Sequence, residues 1–146
     1  METNMFESEP TKVSESAPQD QGDGLLNTKP DPYFNTRLVH SLNESNFGGF
    51  LWTKDAALVM FYNPCDSMSS VFKKDFAMAA GSTKRANHAF AAVNCDQQKQ
   101  LCRVHDVFNT PTFVLFSKGN YVGSVKEVSK FRANSLRQYV ETTSVP

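Results

Sequence analysis

The chain has 146 residues, zero formal net charge and 40% hydrophobic content, which is one domain's worth of sequence with enough material for a single sizeable core. The charge is uneven: residues 1–24 hold Glu2, Glu7, Glu9, Glu15, Asp20 and Asp23 against Lys12 alone, and the compensating excess of basic residues is spread over residues 25–146. Scattered lysines of that kind are solvated faces, not a nucleic-acid footprint, and no apolar run is long enough to span a membrane.

Residues 1–30 are rich in Ser, Glu, Gln, Pro and Gly with little apolar content, so they are predicted to be a disordered acidic tail ahead of a domain over residues 31–146. The tail has no apolar stretch behind a basic start and does not read as a signal peptide. Arg37 to Leu42 is expected to be a short strand, with Asn43 capping a helix over Ser45 to Thr53 that Gly48 and Gly49 weaken. Ala57 to Tyr62 is a continuous apolar run, the pattern of a strand covered on both faces. Pro64 ends it, and Phe72, Phe76, Ala79 and Ala80 recur at helical spacing within a helix predicted over Ser67 to Arg85.

His88 to Asn94 reads as another buried strand, followed by a short helix from about Asp96 to His105, which implies a parallel βαβ unit. Thr112 to Phe116 and Tyr121 to Val125, joined by Ser117-Lys118-Gly119-Asn120, form a predicted β-hairpin that makes the sheet mixed. An amphipathic helix from Lys130 to Glu141, with Phe131, Leu136, Tyr139 and Val140 on its apolar side, closes the chain.

The stretch with chemical content is Phe61-Tyr62-Asn63-Pro64-Cys65-Asp66-Ser67-Met68-Ser69-Ser70, leading into Phe72, Asp75 and Phe76. An apolar strand ending Phe-Tyr-x-Pro before such a helix resembles the catalytic domains of protein disulfide isomerases, which read Phe-Tyr-Ala-Pro-Trp-Cys-x-x-Cys-Lys. The resemblance covers about residues 33–142 and implies an α/β thioredoxin fold with the order β-α-β-α-β-α-β-β-α. Aligned without a gap, Asp66 falls on the attacking cysteine, Ser69 on the resolving cysteine and Cys65 on the tryptophan. Ser67-Met68, together with Val59 to Tyr62 and Leu101-Cys102, is similar to a subgroup whose motif carries Ser-Met between its cysteines.

Disulfide exchange needs one thiolate to attack sulfur and a second thiol to release the mixed disulfide. With Asp66 and Ser69 in those places the expectation is a redox-inactive domain. Asp and Ser are both favoured N-caps, so the helix survives the loss of the nucleophile. Many relatives also bury an acid on the preceding strand, and the matching residue here is Met60.

The resemblance further implies that the Thr110-Pro111 bond is cis and that both residues line a groove for extended peptide. It also implies a structural disulfide between Cys95 and Cys102, for which two buried thiols are the plain alternative and a zinc site with His105 a remote one. Cys65 is then the odd thiol, read as a small packed side chain in place of tryptophan, with a monothiol trapping role as the alternative. Asn43-Glu44-Ser45 is a glycosylation sequon, and His40, His88 and His105 lie singly on different elements.

The expected work is noncovalent binding of unfolded polypeptide or a specific protein partner, with no cofactor, no metal, no nucleic acid and no membrane. Two further readings stay open, a Cys65 monothiol oxidoreductase and a cytosolic adaptor module. The compartment is the endoplasmic reticulum lumen or secretory pathway if the chain is a piece of a longer one, and the cytoplasm if Met1 is the true start.

Overall fold

Ala56–Tyr62 (β3) is apolar along its whole length, and His88–Asn94 (β4) between its two end residues, because both faces of the sheet are covered. Side chains alternate across a strand. Ala56, Leu58, Met60 and Tyr62 accordingly join one buried cluster, while Ala57, Val59 and Phe61 join a second on the opposite face. This computed structural model describes residues 28–125 and 132–145; the predicted tail falls outside them except for residues 28–30, as do Lys130 and Phe131.

The remaining elements are Pro30–Asp31 (β1), Thr36–Ser41 (β2), Phe47–Trp52 (α1), Ser67–Ser82 (α2), Lys99–Val104 (α3), Thr112–Ser117 (β5), Asn120–Val125 (β6) and Ala133–Thr142 (α4). The six strands form one mixed sheet in the order β1-β2-β4-β3-β5-β6. β2 and β3 run parallel to β4, whereas β5 is antiparallel to both β3 and β6. This is the thioredoxin fold, with the four helices of the described residues flanking the sheet.

On one face α2 and α4 supply Phe72, Phe76, Ala79, Leu136 and Val140 to the core. Phe76 is fully buried, its ring centroid 5.2 Å from Phe90, 5.5 Å from Phe34 and 5.8 Å from Phe113. The other face is closed by α1 and α3 through Phe47, Phe50, Leu51, Leu101 and Cys102. Gly123 on β6 lets α4 come close, since a methyl group there would lie 2.6 Å from the Tyr139 hydroxyl.

Four helix ends differ from expectation. α4 begins at Ala133, with extended Arg132 as its N-cap, and not at Lys130. α1 begins at Phe47, not Ser45, because Asn43 and Asn46 cap each other: Asn43 Oδ1 accepts from the Ser45 and Asn46 amides, and Asn46 Oδ1 accepts from the Asn43 amide. α3 begins at Lys99, not Asp96, since Asn94 Oδ1 takes the Asp96 and Gln97 amides into a turn. α2 stops at Ser82, with Thr83 extended, and Arg85 is drawn away to donate to the Val140 and Thr143 carbonyls at the end of α4. Strand β1 was not foreseen: it pairs antiparallel with β2 and brings Asp31 into the interior.

Candidate functional site

The turn between β3 and α2 is set by short polar side chains. Asn63 Oδ1 accepts from the Cys65 amide at 2.9 Å and the Asn63 carbonyl accepts from the Asp66 amide at 3.0 Å, which points the chain into the helix. Asp66 is the N-cap of α2 in extended conformation, its carboxylate accepting from the amides of Met68 and Ser69 at 3.3 Å each. Its Oδ2 also accepts from the Ser69 hydroxyl at 3.1 Å and from the Thr110 hydroxyl at 2.9 Å.

One carboxylate therefore ties the head of α2 to the loop ahead of β5. In that loop the Thr110–Pro111 bond is cis, and Thr112 Oγ1 donates to the Asn109 carbonyl. Ser69 is fully buried and accepts from the Asn63 amide, while Ser67 and Met68 face solvent. Phe108, in the same loop as Thr110, and Val71, on the first turns of α2, are also exposed.

Burial is the largest single influence on Asp66 and acts upward, yet the hydrogen bonds from Thr110, Met68 and Ser69 together hold its carboxyl below the ordinary range. A lowered folded-state pKa means that the charged group stabilises the fold above the unfolded value of about 3.9 and that this is lost as pH falls through the folded value. We expect Asp66→Ala to cost about 0.5–2 kcal/mol at neutral pH and Asp66→Asn less, since the amide keeps the cap. Urea denaturation at neutral pH and near pH 3 checks this. A cost that stays the same at both values would show that the charge contributes nothing.

Cys65 is exposed, contrary to the expectation of a packed side chain: the turn aims it away from both clusters. Cys95 and Cys102 form a disulfide at 2.08 Å that ties the end of β4 to α3. Both sulfurs are thereby occupied, which removes the zinc reading with His105, whose ring instead packs on Phe47, Phe61 and Phe116. The bridge closes a short loop and contributes about 2–3 kcal/mol in the chain-entropy account. Met60 is fully buried between Ala92 and Phe113, so β3 carries no carboxyl group beneath the turn.

Sequence reasoning missed the residues behind this turn. Tyr33 stacks on Tyr62 at 4.3 Å and takes Lys73 Nζ over its ring at 4.6 Å. Asp31, 1% exposed, accepts from the Tyr62 hydroxyl at 2.8 Å and the Tyr33 amide at 2.9 Å. The Pro30-Asp31-Pro32 run signals a turn, but nothing local announces a buried carboxylate.

A family model described as Thioredoxin matches residues 38–142. The protein disulfide-isomerase of Humicola insolens is 28% identical over 108 residues, covering 74% of this chain and 21% of that protein. The protein disulfide isomerase-like 2-2 of Oryza sativa subsp. japonica is 30% identical over 105 residues, 71% of this chain and 28% of that protein. The chain thus spans less than a third of the length of these relatives. The solution structure of the first thioredoxin domain of mouse Protein disulfide-isomerase A4, 24% identical, matches with a TM-score of 0.64 over 86% of this chain and 94% of that one.

Proposed function

The chain belongs to the thioredoxin family, as a domain with protein disulfide isomerase-like relatives, and on that premise we propose that it is a redox-inactive member that holds unfolded polypeptide or a protein partner noncovalently. The observation that carries this reading is Asp66. At the head of α2, where the relatives' chemistry places an attacking thiol, the chain has a carboxylate whose oxygens are taken up by Met68, Ser69 and Thr110. A carboxylate makes no bond to sulfur, and Ser69 has no thiol with which to resolve one.

Peptide binding is assigned to the face formed by the half-buried Asp66 and Thr110 above the buried Pro111, with exposed Met68, Val71 and Phe108 as apolar contacts. The Cys95–Cys102 bridge favours an oxidising compartment, hence the secretory pathway. In an insulin-reduction assay with excess dithiothreitol, turbidity is expected to rise no faster than in buffer alone. A second reading, monothiol trapping by Cys65, draws on its exposure one residue before the helix cap. Turnover that vanishes in Cys65→Ser would put that reading in place of the first.

A further inference from the structure

Beside the turn, at the C-terminal ends of β2, β3 and β4, lies a cleft of about 380 Å³. Its size falls at the small end of ligand sites, which run from about 300 to 1,000 Å³. Asn43, Asn94, Gln97 and Gln98 line it together with Pro64 and the almost fully buried Tyr62 and Asp31. Among the described residues, Asp31 is the one charged residue of the lining.

The groups that donate to this carboxylate are neutral, the Tyr62 hydroxyl and the Tyr33 amide, with the Ser41 hydroxyl and the Phe34 amide beside them. Burial pushes its carboxyl up, and those donors pull only partly against it. A buried charge is ordinarily paired or neutralised, and this one has no cation among the groups that hold it. An anionic ligand such as a phosphate would meet like charge in the cleft. A cation would meet the carboxylate's field and the side-chain oxygens of Gln97 and Gln98, the latter accepting one bond from the Glu44 amide, whereas those of Asn43 and Asn94 are each taken by two backbone amides.

We propose that the cleft binds a guanidinium or ammonium group carried on a polypeptide side chain, so that the protein selects arginine or lysine near the segment held at the cis-proline face. This deepens the peptide-binding reading and rests on it. Pro64 supplies the continuity, since it lines the cleft and lies two residues before Asp66. The prolines and Tyr33 give the aliphatic stem an apolar wall while the charged head turns toward Asp31.

The test is an amide NMR titration of the intact protein with two blocked pentapeptides, Gly-Gly-Arg-Gly-Gly and the same peptide with neutral citrulline, plus a lysine and acetyl-lysine pair. The charged peptides are expected to bind about tenfold tighter than their neutral partners, the value of one charge-assisted contact, and to shift Asn43, Asn94 and Gln97. Asp31→Asn should abolish the preference. Gln97→Lys, at an exposed position that leaves the core untouched, should do the same by repulsion if the Asp31 variant fails to fold.

Equal binding of charged and neutral peptides, with shifts at Asp66 and Thr110 only, would overturn the cation site and leave the peptide face standing. Charge-selective shifts confined to the cleft would do the reverse. Absence of any shift would overturn both.

Discussion

The variant Cys65→Trp, Asp66→Cys, Ser69→Cys is expected to reduce insulin where the parent does not. The geometry for a dithiol is already in place, because the side chains of residues 66 and 69 meet at 3.1 Å, with 66 partly exposed and 69 fully buried. A thiolate at position 66 inherits the amides of Met68 and Ser69 and the hydroxyl of Thr110, all of which now stabilise the Asp66 anion. Its pKa should therefore fall below the free value of about 8.5. The same donors that lower the carboxyl of Asp66 would lower the thiol, so the two shifts share one cause.

Turnover should nonetheless be slow, since Met60 leaves β3 without an acid to accept a proton beneath the pair. The measurements are insulin turbidity and the pH dependence of iodoacetamide labelling at position 66. A folded triple variant whose thiol titrates like free cysteine would show that the surroundings, and not the motif alone, have left redox chemistry.

Phe76→Ala is expected to lose about 3–5 kcal/mol of unfolding free energy, the largest stability effect we anticipate from a single substitution. Phe76 is fully buried, with its ring against Phe34, Phe90 and Phe113, so truncation removes contacts to β4, β5 and the segment after β1 at once. Its neighbours on those elements are fixed by the sheet and cannot collapse into the space, which adds a cavity cost to the transfer cost. Urea denaturation monitored by circular dichroism reads it. A loss below about 1 kcal/mol would mean that α2 does not depend on this contact and that the site at its head is held by Asp66 and Thr110 alone.

The same helix shows how far local pattern reaches. Phe72, Phe76, Ala79 and Ala80 at helical spacing and Asp66 at the start mark α2 in the sequence, and the cap is where those residues put it. Its end was misread at Arg85 because the side chain's partners, the carbonyls of Val140 and Thr143, lie on a helix far along the chain. For α1 and α3 the mutual Asn43 and Asn46 caps and the Asn94 turn are local contacts, yet several asparagines competing for the same amides leave the winning arrangement to the tertiary frame.

What the sequence determined by itself is whatever depends on near neighbours: continuous apolar runs for β3, β4 and β5, the β5–β6 hairpin, and a turn that ends on Asp66 as the N-cap of α2. The tertiary structure alone decided the exposure of Cys65, the addition of β1 to the sheet, the 44-residue reach from Thr110 to Asp66 and the burial of Asp31 against Tyr62. The last two are contacts between segments remote in sequence, formed only once the sheet has brought the ends of its strands to one edge. No periodicity or cap signal records such a contact, because its energy depends on position in space and not on spacing along the chain.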